Sequence, residues 1–312
     1  MTKSAASPDE LAEPVDRSAG SSANTALPDS AEQLAIDLAC DAARSIATIR
    51  ATTVTTKAHP ADLVTELDTG IESDVRNRLL GAFPDHSLVG EEFGAGGNEQ
   101  AAFTWFCDPV DGTTNYVNDL GWSAFSLCCT DSAGPLLGVV AHPVRKELVV
   151  SRRGGGAWRW TLGDDYRPTG EPEKLAASTT ATLAGTIFTT ELRAHLPWPG
   201  MFPMIDELAA RSCTARILGS SALTLLQVAA GRAAGALIST FSPSTTSGRS
   251  WPASRPARSV WTPTAMPPPV RPPAACCWQR RTSPRSSAPS GGTHWSAESA
   301  GGVPAHPTKL AE

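Results

Sequence analysis

The chain has 312 residues, 41% of them hydrophobic, enough for one large domain or two medium ones with a true core, which excludes a wholly disordered protein. Charged residues make up only 18% and the formal net charge is −5, so the molecule as a whole has no basic field for nucleic acid. No apolar run reaches the length of a membrane span, and the N-terminus carries early Asp, Glu and Pro in place of a signal's apolar stretch, which predicts a cytoplasmic protein.

Residues 1–28 are rich in Ser, Ala, Asp, Glu and Pro without apolar periodicity, and are read as a disordered arm. From Asp29, the residues Leu34, Ile36, Leu38, Ala39, Ala42, Ile46 and Ile49 recur at helical spacing behind an Asp29/Ser30 cap. A second amphipathic helix runs from about Thr69 to Phe83, with Ile71, Val75, Leu79 and Leu80 inward and Pro84 as its stop. Between Phe103 and Trp160, short apolar runs broken by turn residues predict the strands of one sheet. Gly154-Gly155-Gly156 precedes strand text rather than a helix, so it reads as a hairpin turn and not a phosphate loop. Cys107, Cys128 and Cys129 lie in these apolar runs and read as reduced core residues, and the seven cysteines show no zinc spacing.

Further on, Thr186–Thr190 is extended, Phe202–Ser212 helical, and a helix spans about Ser220–Ala230 with Ser220-Ser221 at its cap. The pattern is that of an α+β layered enzyme, with an N-terminal part at 29–165 and a C-terminal α/β part at 166–243. His59 and His142 have no partner legible in the sequence and read as surface or loop histidines. Residues 244–312 hold 12 of the 26 prolines and four of the nine tryptophans, a single Leu, and no Ile, Phe, Tyr, Asp or Asn. No packed domain is built that way. This tail is basic and leaves the rest of the chain near −11.

The densest chemistry lies in Asp108-Pro109-Val110-Asp111-Gly112-Thr113-Thr114-Asn115, directly after the apolar run Phe103–Cys107. Two carboxylates three apart at a strand end can converge. Gly112 with the hydroxyls of Thr113 and Thr114 opens a segment whose backbone N–H groups can face an anion. Gly90-Glu91-Glu92 ends another strand, and Asp62 to Asp68 supplies further acids before a helix. Oxygen-only ligands suit a hard cation, Mg²⁺ before Ca²⁺.

These motifs, WFCDPVDGTTNY with GEE and KAHPADLVTELD before it and GVVAHPVRKELVVSRRGGGAW and GSSALTLLQVAAGR after it, resemble the inositol monophosphatase family over about residues 30–243. The resemblance implies a layered α-β-α-β-α sandwich shared with fructose-1,6-bisphosphatases, a homodimer, and Li⁺-sensitive hydrolysis of a small phosphate monoester with two or three Mg²⁺. It implies Glu91, Asp108 and the carbonyl of Val110 as ligands of the first metal and Asp111 as a ligand shared with the second. Asp108 bridges, and Asp68 serves a weaker further metal. Thr113 with Glu91 orients the attacking water, the Gly112 and Thr113 amides with Thr114 cradle phosphate, Lys57 lies at the rim, and Gly219 and Ser220 contact substrate. Inositol monophosphate is the first substrate implied; histidinol phosphate, fructose 1,6-bisphosphate and a 3′-phosphonucleotide are its alternatives within the superfamily.

Two departures stand out. Ile238 occupies a position where family members often carry an acid for inositol hydroxyls, and Ser244-Thr245-Thr246-Ser247 stands where a Trp-Asp motif is due, its Asp a ligand of the second metal. Reading each codon one base earlier turns Cys276-Cys277-Trp278-Gln279 into an apolar residue followed by Leu-Leu-Ala. The same shift lets Thr245–Trp251 encode an apolar helix that begins with Asp. Together these point to a frameshift near codon 244. A chain that truly ends in this tail lacks one metal carboxylate, and a non-catalytic family member is then the alternative.

Overall fold

In the computed structural model the described residues are 26–57, 59–193 and 195–239, all within the unit Met1–Met266. Residues 1–25 of the N-terminal arm, the whole tail and the site of the missing Trp-Asp motif lie outside them.

Helix α1 spans Asp29–Thr48 and buries Ala31, Ala35, Leu38, Ala39, Ala42, Ala43 and Ile46 as one stripe. The Asp29/Ser30 cap does not form. The helix opens behind Pro28 without a side-chain cap, and Asp29 and Glu32 place negative charge in its first turn instead. Ile49 lies just past the helix and is exposed, because the chain turns extended there. Strands β1 (Val54–Thr56) and β2 (Leu63–Thr65) form a hairpin that leads into α2, Glu66–Ala82.

Helix α2 starts three residues earlier than its apolar periodicity suggests. Thr65 caps it by accepting the Leu67 N–H, while Asp68 accepts the Thr65 N–H, a reciprocal box that satisfies donors at the helix start.

The chain then builds β3 (Ser87–Gly90), β4 (Gly94–Gly97), β5 (Thr104–Asp111), the short helix α3 (Thr113–Val117), β6 (Ala124–Asp131), β7 (Gly134–His142), β8 (Glu147–Arg152), β9 (Gly156–Leu162) and β10 (Pro168–Lys174). The eight strands form one sheet in the order β10-β9-β8-β7-β6-β5-β3-β4. Within this sheet, among the described residues, only β3 and β5 pair in parallel. The glycine run at 154–156 closes the β8–β9 hairpin, with Gly155 N–H donating to Arg152 O.

Both faces of the sheet are covered, which is why β7 reads as a continuous apolar run rather than an alternating one. On one face Phe125, Leu127, Val139, Ala141, Leu148 and Val150 pack with α1 and α2. On the other, Ala124, Val140, Val149 and Ala157 pack against Leu223 and Leu226 of α5, Ser221–Ala229.

The same coverage corrects the reading of His142. It closes β7 in full burial, not at the surface; Trp122 meets it edge-on at 5.0 Å, and burial pushes its pKa down to about 4. Neither ring nitrogen has a hydrogen-bond partner.

A second, three-stranded sheet has β11 (Ile187–Thr190) between β12 (Thr214–Ile217) and β13 (Gly235–Leu237), all parallel. Helix α4 (Met201–Ala210) connects β11 to β12, and α5 connects β12 to β13. The two connections run to opposite sides of β11, so right-handed crossovers place α4 and α5 on opposite faces of this sheet. The result is the alternating α-β-α-β-α layering. Among the described residues no helix is long and apolar enough to cross a membrane. Cys40, Cys107, Cys128, Cys129 and Cys213 are all buried; burial holds the Cys107 and Cys129 thiols above their usual range and that of Cys40 at about 11, so these three stay protonated.

Candidate active site

Residues three apart on a regular strand face opposite ways, yet Asp108 and Asp111 lie close enough for the charge of one to act on the other. The β5–β6 register explains how. Asp108 pairs with Ser126 and Asp111 with Ala124, so β5 carries one extra residue between them. That bulge includes Pro109, which has no N–H to give to a ladder, and it returns Asp111 to the face of Asp108. The carboxylates are therefore still within the strand, not beyond its end. At Gly112 the chain turns with φ 91°, and a Cβ there would lie 2.8 Å from Gly219 O and 3.0 Å from Trp122 O. Glycine is required on both counts.

Asp108 is half-buried, and its Oδ1 is sealed from solvent with no hydrogen-bond partner. Burial holds its carboxyl well above the usual carboxylate range, with the charges of Glu91 and Asp111 adding to the effect. Asp111 is raised less, to about 6: burial pushes it up while Ser220 Oγ (2.6 Å) and the N–H groups of Ala222 (2.6 Å) and Ser221 (3.2 Å) stabilise its charge. Asp111 thus sits at the N-terminus of α5, where helix dipole and orphan donors favour an anion.

Asp68 is fully buried, and burial raises its pKa against hydrogen bonds from Thr65. Its Oδ1 lies 3.1 Å from Thr113 Oγ1, which also lies 3.0 Å from Val110 O. Glu91, which neighbours Asp108, also meets Lys57: Nζ is 2.6 Å from Glu91 Oε1 and 2.8 Å from Glu92 Oε1. Burial works against the Lys57 charge, but these two carboxylates outweigh it and hold the ammonium above its usual range.

Three residues that sequence reasoning missed hold the site together. Asn115 Nδ2 donates to Trp122 O and Leu218 O, each at 2.8 Å. Glu191, buried at the end of β11, accepts from the N–H groups of Leu218 (3.3 Å) and Gly219 (2.8 Å) and from the Thr224 hydroxyl. Carbonyls and amides of the 218–219 turn are thereby gripped from two sides. Glu72 does the same for the turn after β3, accepting from Glu92 N–H at 2.6 Å and Phe93 N–H at 2.9 Å. Asn115 belongs to the motif and was the one most open to discovery from sequence. Ser220 caps α5 as the sequence suggests, donating to Asp111 and accepting from Leu223 N–H. His59 lies in the β1–β2 loop and stacks on His195 at 3.8 Å.

Among the described residues no three His, Cys, Asp or Glu side chains already close on one point as a metal site. The donors nevertheless fit a hard cation. Every candidate ligand offers oxygen, Asp108 Oδ1 is buried and unpaired, and the Lys57 ammonium already stands as a positive charge against Glu91. A carboxylate has about four lone-pair directions, so Asp111 can keep its α5 donors and still bind a cation.

The model of the inositol monophosphatase family matches residues 27–246. Curated relatives include the protein named Nus factor SuhB from Pasteurella multocida, 33% identical over 176 residues, which are 56% of this chain and 62% of that one. Inositol monophosphatase 3 of Solanum lycopersicum is 36% identical over 174 residues, 55% of this chain and 62% of its own. The chain thus spans about 62% of the length of these two relatives. Among solved structures, the extragenic suppressor protein SuhB of Bartonella henselae superposes with a TM-score of 0.56 at 27% identity, covering 65% of this chain and 76% of that one. The inositol monophosphatase of Anabaena gives 0.54 at 27%, covering 68% and 75%.

Proposed function

The chain belongs to the inositol monophosphatase family, a family of phosphatases, and on that premise we propose that it is a Mg²⁺-dependent phosphatase of small phosphate monoesters, inositol monophosphate first. The observation that carries this reading is the buried, unpaired Oδ1 of Asp108 among the carboxylates of Glu91, Asp111 and Asp68. Such a concentration of negative charge is costly unless a cation occupies it.

Glu91, Asp108, Asp111 and the Val110 carbonyl would hold Mg²⁺, with Asp68 serving a weaker further ion. When bound, Mg²⁺ lowers the pKa of the attacking water and offsets charge on the phosphoryl oxygens. The protein's own part is positioning. Glu91 and Thr113 orient the water, and the Thr113 hydroxyl can take a proton from it as it passes its own to Asp68 Oδ1, 3.1 Å away. The Gly112 and Thr113 amides and the Thr114 hydroxyl face the phosphoryl oxygens. The water oxygen bonds to phosphorus as the ester P–O bond breaks, and the departing alkoxide takes up a proton from solvent, to which Asp68 returns the one it received. Gly219 and Ser220 would border the substrate, the N–H of Gly219 being held by Glu191 and the Ser220 hydroxyl by Asp111. Ile238 in place of a polyol-binding acid favours a panel that also includes histidinol phosphate, fructose 1,6-bisphosphate and a 3′-phosphonucleotide.

The test is phosphate release from that panel with and without Mg²⁺, and with Asp108→Asn. Mg²⁺-dependent release that Asp108→Asn abolishes supports the reading; release that survives the substitution refutes it. A Li⁺ titration, a sedimentation run for the homodimer and cell fractionation for the cytoplasm complete the proposal.

A second reading rests on Lys57 and the start of α5, which satisfy Glu91 and Asp111 without any metal. A non-catalytic family member would gain stability from that arrangement, and Mg²⁺ titration would then give no heat. The tail bears on the choice. We hold residues 244–312 to be translated in a shifted frame, and resequencing codons 235–255 decides it, since a restored base returns the second-metal Asp.

A further inference from the structure

We propose that Glu72, with Arg76, is a positioning residue that aims Glu91 at the cation, an inference that rests on the phosphatase reading above. Glu72 is on α2 and has no exposed surface. Its Oε2 accepts the Glu92 N–H at 2.6 Å and its Oε1 the Phe93 N–H at 2.9 Å. Arg76, one turn on, lies 3.2 Å from the same Oε1 and donates to Gly94 O at 2.7 Å. The pair therefore grips two amides and one carbonyl of residues 92–94, the turn that leaves β3 directly after Glu91.

A buried ion pair is an expensive way to close a turn, because desolvation of both charges offsets most of their attraction. A neutral side chain would close an ordinary turn at lower cost. What the carboxylate adds is direction: two consecutive N–H groups on one anion fix the backbone on the C-terminal side of Glu91, and with it the side chain. The backbone has made room for this contact. A Cβ on Gly90 would sit 1.9 Å from Glu72 Oε1, so the residue before Glu91 has to be glycine while Glu72 keeps its place. Glu91 is thus held between a glycine that admits Glu72 and two amides that Glu72 binds. Preorganisation of this kind sets how tightly a ligand group meets its ion more than how fast the chemistry runs once the ion is bound.

The test uses the full chain with Glu72→Gln, which keeps the shape but turns one acceptor into a donor facing an N–H. Mg²⁺ titration without substrate, hydrogen exchange at the Glu92 and Phe93 amides, and the Mg²⁺ dependence of phosphate release are read together. The expected result is about a tenfold weaker Mg²⁺ Kd, about tenfold faster exchange at those two amides, and a rise of about tenfold in the Mg²⁺ concentration that half-saturates phosphate release. Unchanged Mg²⁺ Kd, whether or not the melting temperature falls, assigns Glu72 to the fold alone and overturns the proposal. If Glu72→Gln does not fold, Arg76→Gln releases the grip on Gly94 and the ion pair with Glu72 while leaving the two amide bonds of Glu72 in place; about a threefold weaker Mg²⁺ Kd is then expected, and an unchanged one overturns it. A wild-type chain that binds Mg²⁺ but releases no phosphate defeats the phosphatase reading and leaves this test intact. A wild-type chain that binds no Mg²⁺ defeats both.

Discussion

Ser220 Oγ donates to Asp111 Oδ2 at 2.6 Å, tying the first residue before α5 to the last residue of β5 across 109 positions of chain. The same oxygen accepts Leu223 N–H, so one hydroxyl caps the helix and stabilises the carboxylate. Ser220→Ala removes both bonds. It should cost roughly 1 kcal/mol of stability from the lost cap and move the Asp111 pKa above about 6. Urea denaturation reads the first effect, and a carbon-13 NMR titration of the Asp111 carboxyl in metal-free protein, displaced to higher pH, reads the second.

Asp108→Asn should separate stability from activity. The buried carboxyl is held well above its usual range, so keeping it charged at neutral pH works against the fold. Without Mg²⁺ the variant should therefore melt higher than wild type, at roughly 2–4 °C per kcal/mol gained for a domain of this size, while phosphate release is lost. A variant that melts lower in metal-free buffer would show that the acid cluster is not under strain.

His142 supplies a pH dependence of known sign. Its folded pKa is about 4, lowered by burial with Arg145 and Arg232 adding and Glu147 opposing. Unfolded, it titrates near 6.5. The folded state thus binds the proton less readily, and stability is lost as pH falls from about 6.5 to about 4. The full loss is on the order of 3 kcal/mol. His142→Leu should flatten unfolding free energy against pH across that window; an unaltered slope would mean that other groups carry it.

Asn115 donates to two carbonyls, Trp122 O and Leu218 O. Asn115→Asp keeps the shape but sets an acceptor against acceptors, so it should destabilise more than Asn115→Ala, by roughly 1–3 kcal/mol. Chemical denaturation of the two variants side by side decides the order.

The acids and the glycine at 108–112 were legible in the sequence because carboxylates, proline and glycine are rare together in apolar strand text. That the two carboxylates can meet was legible as well, but the route was not. It depends on a register shift against β6, and register is a property of two strands. The apolar stripe of α2 points to a start near Thr69, whereas the Thr65 and Asp68 cap sets it at Glu66. Glu72 and Glu191 read as ordinary polar residues on a helix and at a strand end. Only long-range pairing shows that each holds a backbone turn. His142 misled for a related reason: a histidine at the end of a run looks solvated until the layer that covers it is known.

The bond from Ser220 to Asp111 also has a consequence in time. Glu91, Asp108, Asp111 and the α2 pair that grips the turn after Glu91 all belong to the first 111 residues, whereas the donors that settle Asp111 arrive 109 residues later. At about 5–20 residues per second of synthesis, roughly 5–20 s separate the two. Once β6 has been made and has set the register, the nascent chain holds Asp108 and Asp111 on one face with no helix yet to receive the second. A divalent cation or the Lys57 ammonium is then the available counter-charge, and the half-built site would be occupied before the protein around it is complete.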